Sequence, residues 1–345
     1  MKSVFTGRRL CLTILAIMVC FANPVMAKDY LYVPVNNALQ IIDCQSDTVI
    51  KTVPAYNDYI LHAAYSHDGK RYYLNAIHSV YVFDTTTNEM VDTFRFSTEL
   101  SKVTIWGMSV SPDNKKLYLS AYITKKKQNI PKLNVLPPQL IVFDVEKKKM
   151  VKNYKIPHMV SQILVLRNDK NKVLLIGNDL VELDLKSGEI KKRVGFLHPE
   201  KGEEGKNVFS VHDNSSPGDH GIFPQPYYTA TGMGYLLIDR NTGKVKKIAG
   251  KDLWFEYGAT LSPNKKYMYG VMDELIKIDA TTGETVKAVP IKQGTCYAVN
   301  ITSDGKKLYV GPAGPDMSVY DADTLELLGV IPLYSDGLMA HRFSM

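Results

Sequence analysis

Seven apolar runs in this chain each end in an aspartate and pass into a polar turn, and their spacing leaves few folds open. The aspartates are Asp43, Asp84, Asp144, Asp184, Asp239, Asp279 and Asp321, separated by 41, 60, 40, 55, 40 and 42 residues. A period of about 40 is the length of one four-stranded propeller blade, so seven copies predict an all-β, seven-bladed ring. A second signature precedes most copies: Ser66-His67-Asp68-Gly69, Ser111-Pro112-Asp113-Asn114, Ser262-Pro263-Asn264-Lys265 and Ser303-Asp304-Gly305-Lys306, each before a short Tyr-rich apolar strand. Arg167-Asn168-Asp169-Lys170-Asn171 takes that slot in the fourth unit, and the longer Asp213–Asp219 connection breaks the pattern in the fifth. Each blade reads as innermost strand, Ser-x-Asp-Gly turn, second strand, third strand ending in Asp, Thr-Gly turn, and outermost strand.

The strand-end aspartates suggest a carboxylate ring, but each stands where an Asp side chain caps the amides of its own turn, which is the structural use. Blade one begins directly with its second strand, Tyr30-Leu31-Tyr32-Val33, and lacks an innermost one, while residues 338–344 form a spare innermost strand after blade seven. The expectation is a ring closed by pairing residues 338–344 into blade one, which hides a sheet edge.

Residues 1–27 carry Lys2, Arg8 and Arg9 before the apolar run Leu10–Phe21, with Val25-Met26-Ala27 at a cleavage position, the form of a signal peptide. Residues 28–345 then form a single propeller domain, expected in the periplasm. Loss of the three basic residues leaves 39 Lys and Arg against 35 Asp and Glu, a net charge of +4. That mild excess, with Lys runs in turns, gives no basic face interleaved with aromatics for nucleic acid. Cys11 and Cys20 belong to the signal. Cys44 and Cys296 fall on opposite faces of the blade map, too far apart for a disulfide, and are expected as free thiols.

Chemistry-bearing motifs are few. The chain has no Cys-x-x-Cys-His, no phosphate loop, no Gly-x-Ser-x-Gly elbow, no His-Glu-x-x-His and no metal-ligand spacing among its eight histidines. His212-Asp213 and Asp219-His220 read as loop. No catalytic, cofactor-binding or metal residue is assigned. The insertions at 121–138 and 197–206 fall on one face, where innermost strands begin, and long insertions on one face of a repeat ring mark a binding face. That face gathers Trp106, Tyr227, Tyr228, Tyr257 and Tyr297 as candidate partner-interface residues. Interface anchoring and packing between blades both suit these aromatics at this stage.

The order of the blades, the insert in blade three, the strand Phe223-Pro224-Gln225-Pro226-Tyr227-Tyr228-Thr229-Ala230, and the C-terminal segments Tyr297–Gly305 and Ser318–Glu326 together resemble the β subunit of quinohemoprotein amine dehydrogenase. The single turn motifs recur across surface-layer-like (YVTN-type) propellers. Their order, the insert and the irregular fifth unit carry the resemblance, which spans residues 28–345. It implies a propeller without a redox centre of its own. The family complex has a small γ subunit with cysteine tryptophylquinone and a dihaem cytochrome-type α subunit with c-type haems, and it oxidatively deaminates primary amines. Two other readings stand beside it: a free-standing periplasmic propeller that binds a ligand or partner protein, and a lactonase-like hydrolase.

Overall fold

Each repeat folds as a four-strand meander because its turns hold the backbone in reversal. In the first turn Ser66 Oγ donates to Asp68 Oδ1 at 2.6 Å and accepts the Arg71 amide at 2.9 Å. Ser111, Ser262 and Thr302 repeat the arrangement with Asp113, Asn264 and Asp304. In blade seven the anchoring hydroxyl is therefore Thr302, one residue before the expected Ser303. These turns need one residue at positive φ, supplied by Gly69, Asn114, Lys265 and Gly305. The strand-end aspartates cap their turns as expected: Asp84, Asp184, Asp279 and Asp321 each accept two amides, from the residues two and three positions on, at 2.7–3.0 Å. The bond from the third residue on is the largest influence that holds these four carboxyls below the ordinary range.

The computed structural model describes residues 28–55, 58–127, 131–209, 219–311, 313–337 and 339–344. The expected signal peptide lies outside them, as does His212-Asp213. Seven antiparallel sheets follow in chain order. Second and third strands are nearly all buried, as in Ala38–Asp43 and Gln139–Asp144. Outermost strands such as Lys149–Lys155 face solvent, and apolar clusters fill the seams between neighbouring blades.

The ring closes as predicted. His341–Ser344 pairs antiparallel with Asp29–Val35, with Tyr30 opposite Phe343 and Tyr32 opposite His341. Arg342 forms an ion pair with Asp29 at 3.1 Å, both largely buried, and the other Asp29 oxygen accepts the Ser303 amide of blade seven. Asn300 Nδ2 donates to the Ala340 carbonyl at 2.9 Å, and the Tyr65 hydroxyl of blade two to the His341 carbonyl at 3.1 Å. The seam is thus stitched from both sides. Cys44 and Cys296 are both buried and free, and burial pushes each thiol up to about 12.

Blades three and five depart from the plan in opposite directions. The insert in blade three lengthens its second strand to Lys116–Lys126 and returns as Leu133–Val135, with Leu133 opposite Lys126 and Val135 opposite Thr124. Blade five has three strands among the described residues, Ile222–Tyr228, Met233–Asp239 and Val245–Ala249, where the repeat predicted an innermost fourth. Pro224 and Pro226 limit what can pair on the inner side. Tyr228 exchanges both backbone bonds with Asn207 on the inner side, each 2.8 Å. By the two-residue period of a strand, the nitrogens of Pro226 and Pro224 face that side too, and they carry no hydrogen to donate. The side chain of Gln225, wholly buried, supplies donors on that side, to the carbonyls of Phe209 at 3.1 Å and Pro226 at 2.9 Å.

Candidate functional site

The meander puts Ser-x-Asp-Gly and Thr-Gly turns on one face and the starts of innermost strands on the other. The second face is apolar. Every junction between blades except six to seven exposes a large apolar side chain there: Tyr59, Leu100, Met159, Leu197 with Phe209, Leu253 with Phe255, and Tyr334. Leu133 and Val135 on the blade-three hairpin extend the set, at 58% and 67% exposure. The remaining exposed large apolar residues, apart from Trp106 on this same face, lie on outermost strands, so none sits on the opposite face among the described residues.

At the centre of the apolar face lies a cavity of about 940 Å³, walled by Tyr59, Trp106, Tyr122, Met159, Phe209 and Tyr297 from five blades. Trp106 reaches it through a β-bulge: Ile105 pairs with Ala121 and Gly107 with Ser120, leaving Trp106 unpaired and half exposed. Gly107 is required beside it, since a Cβ there would stand 2.4 Å from the Ser161 carbonyl of blade four. One residue below the lining Leu61 and Ser161, His62 Nε2 meets Gln162 Oε1 at 2.8 Å and joins the innermost strands of blades two and four. Among the described residues the wall carries one imidazole, His158, and no carboxylate.

Of the five aromatics singled out from sequence, Trp106 and Tyr297 line the cavity. Tyr257 stands behind, its ring centroid 5.2 Å from Tyr297 and 5.5 Å from Phe209. Tyr228 is buried between Phe209 and Phe255, stacked on the latter at 5.6 Å. Tyr227 is buried in the cluster between blades four and five. The last two thus shape the face only through the residues they support. Sequence reading passed over Tyr59, Met159, Phe209 and Phe255. The signal for Phe255 was present in Leu253-Trp254-Phe255-Glu256, whose side chains alternate outward and inward.

Glu256 is the unexpected residue behind this face. Its side chain is wholly buried, and Oε1 accepts the Tyr235 hydroxyl at 2.5 Å. Gly270 makes the room, because a Cβ there would fall 2.2 Å from the carboxyl carbon. Burial raises the carboxyl to about 8, against a smaller lowering by the Tyr235 bond, so it is neutral at pH 7. The Tyr228 hydroxyl accepts the Glu256 amide and donates to its carbonyl at 3.2 Å. On the opposite face, Asp219 is paired with Arg167 at 2.8 Å and His220 is shifted down, chiefly by burial, a structural use of the loop the sequence assigned.

No protein-family model matches the chain, and no curated protein sequence does. Among solved structures, it is similar to dihydro-heme d1 dehydrogenase NirN in complex with DHE, at 16% identity and a TM-score of 0.55 over 91% of this chain and 74% of that one. It is also similar to Kuenenia stuttgartiensis hydrazine synthase, at 16% identity and a TM-score of 0.54 over 87% and 90%. At that identity the likeness establishes the seven-bladed propeller fold.

Proposed function

We propose that this chain is the non-redox β subunit of a periplasmic quinohemoprotein amine dehydrogenase, a platform that docks the quinone-bearing and dihaem subunits during oxidative deamination of primary amines. The observation that carries the reading is the one-sidedness of the surface: an almost complete ring of exposed apolar side chains surrounds a cavity of about 940 Å³, and the opposite face has none among the described residues. Exposed apolar patches of this extent mark protein interfaces, and permanent ones bury on the order of 2,000 Å² or more. A rigid ring holds such a surface at little entropic cost, and a small subunit seated on it would have its cofactor walled from water by Trp106 and Tyr297. The blade order and inserts that resemble the family support the identity of the partners, and the tripartite N-terminal segment supports export. The cavity itself favours one other reading, a free-standing propeller that binds an apolar ligand.

The test is reconstitution. This chain, mixed with separately produced quinone-bearing and dihaem subunits, is expected to form a heterotrimer on size-exclusion chromatography with amine-dependent haem reduction, and to show neither haem absorbance nor amine oxidation alone. Trp106→Ala with Tyr257→Ala is expected to weaken assembly at least tenfold, as truncation of anchors worth about 2 kcal/mol does. Unchanged affinity in the folded double variant would overturn the docking assignment.

A further inference from the structure

Residues 251–257 cross from the outermost strand of blade five to the innermost strand of blade six without regular secondary structure. Leu253 and Phe255 point outward, 59% and 56% exposed, while Trp254 and Glu256 point in. Trp254 is fastened at the margin, its Nε1 donating to Thr285 Oγ1 at 2.9 Å. Glu256 is the deepest anchor, resting on Gly270 and held by Tyr235. Its Oε2 is buried with no hydrogen-bond partner among the described residues. A neutral carboxyl is tolerated there more readily than a carboxylate, which would bring a full charge into a buried seam with one side-chain donor among the described residues.

We propose that segment 251–257 is a strap latched by the proton on Glu256. With the proton on, the carboxyl stays seated on Gly270 and holds Tyr257 behind Phe209 and Tyr297 of the cavity wall and Phe255 against Tyr228. When the proton passes to water, the carboxylate leaves the seam for solvent and draws the strap outward. Among the described residues, the titratable groups packed on Glu256 are the phenols of Tyr228 and Tyr235, from the second and third strands of blade five, and the strand Tyr267–Val271 of blade six offers Gly270. Burial raises both phenols far enough that they stay neutral at physiological and mildly alkaline pH. Glu256, raised to about 8, is left as the group of this cluster that titrates there. The strap borders the face assigned to docking, so the regulatory consequence, weaker assembly in alkaline medium, rests on that reading; the latch itself does not.

The experiment uses the full chain. The sequence has two tryptophans, so Trp106→Phe leaves Trp254, inside the strap, as the sole indole reporter. Between pH 6 and 10 its emission is expected to change with a one-proton midpoint near 8. Hydrogen exchange at 251–257, corrected for the intrinsic base-catalysed rate, is expected to accelerate at least tenfold across the same midpoint. Adding Glu256→Gln, which keeps the acceptor for Tyr235, should abolish both changes. A flat profile in the parent, or the same transition in the Gln variant, overturns the latch. Should the Gln variant not fold, the exchange profile of the parent decides: a strap that opens together with strands 222–228 and 267–271, rather than ahead of them, is no latch. Assembly with the quinone-bearing subunit is measured in parallel at pH 6.5 and 9. Opening of the strap with unaltered assembly counts against the docking reading and leaves the latch standing.

Discussion

Among the described residues, blades one and five both lack an innermost strand in the usual place, and the inner edges of the two are met by different means. In blade one the gap is filled by backbone: His341–Ser344 completes the sheet from the far end of the chain. In blade five side chains carry the contacts: Gln225 reaches the Phe209 carbonyl at the inner edge, and Tyr228 and Tyr235 reach Glu256 in the seam with blade six. The choice follows from donors. Tyr30 and Tyr32 carry amides on the edge to be closed, whereas Pro224 and Pro226 have none. A backbone ladder is indifferent to pH and to most side-chain changes. A side-chain seam depends on particular residues and, where one is a buried acid, on its protonation.

The comparison breaks first at the backbone seam. Removing residues 339–345 deletes four paired positions and the buried Met339 and Phe343. One buried Phe truncated to Ala typically costs about 3–5 kcal/mol, and a whole domain has roughly 5–15. The truncated chain is expected to lose its cooperative thermal transition, followed by circular dichroism, and to regain it with the segment added as a peptide.

At the side-chain seam the largest effect is expected from Glu256→Ala. It leaves the Tyr235 hydroxyl without its acceptor and opens a void over Gly270, a loss of about 2–4 kcal/mol in denaturant titrations. Glu256→Gln sharpens the contrast through pH. The folded carboxyl lies above its unfolded value of 4.5, so its stabilising contribution is whole below about pH 4.5, falls as pH rises toward 8, and stays lost beyond. The Gln variant is therefore expected to gain on the parent from pH 5 to 8 and hold a constant margin above it. A margin that does not vary with pH would mean that the carboxyl is solvated.

Gln225→Leu comes next. It leaves the Phe209 carbonyl without the Gln225 donor, for about 1–3 kcal/mol. The smallest effect is expected from Asn300→Ala, about 1 kcal/mol by the same measurement, because the backbone ladder beside the Ala340 carbonyl remains. If Asn300→Ala proved costlier than Gln225→Leu, the distinction between the two seams would fail.

What the sequence disclosed tracks how local the physics is. The aspartate turns, the blade count and the closing strand are set by a few consecutive residues each, and all appeared as read. The Thr302 anchor was displaced by one because Ser303 mimics the turn's first residue, while its amide is taken by Asp29 some 270 positions away, 274 along the chain. The weak inner edge of blade five was legible in Pro224-Gln225-Pro226, since alternate prolines disarm one edge of a strand. Glu256 was not, because its burial depends on the missing side chain of Gly270 in the next blade. The cavity wall was legible in part. Tyr297 follows from its place just before a strand and Trp106 from the opening expected near it, but the bulge that aims Trp106 does not, and Tyr59, Met159 and Phe209 meet them only once seven blades close a circle.

Trp106 owes its direction to a count and not to a residue type. Its strand carries one residue more between Ile105 and Gly107 than the partner opposite Ala121 and Ser120, and that surplus residue is the one aimed at the cavity. Deleting a single position there would restore the regular alternation, close the bulge and take the indole off the wall, with every turn and the pairing below untouched. A propeller of this kind can therefore add or withdraw a wall residue by a one-codon change in strand length. Relatives of the ring that share its blades need not share its cavity, and comparing them position by position would misalign the residue that matters most there.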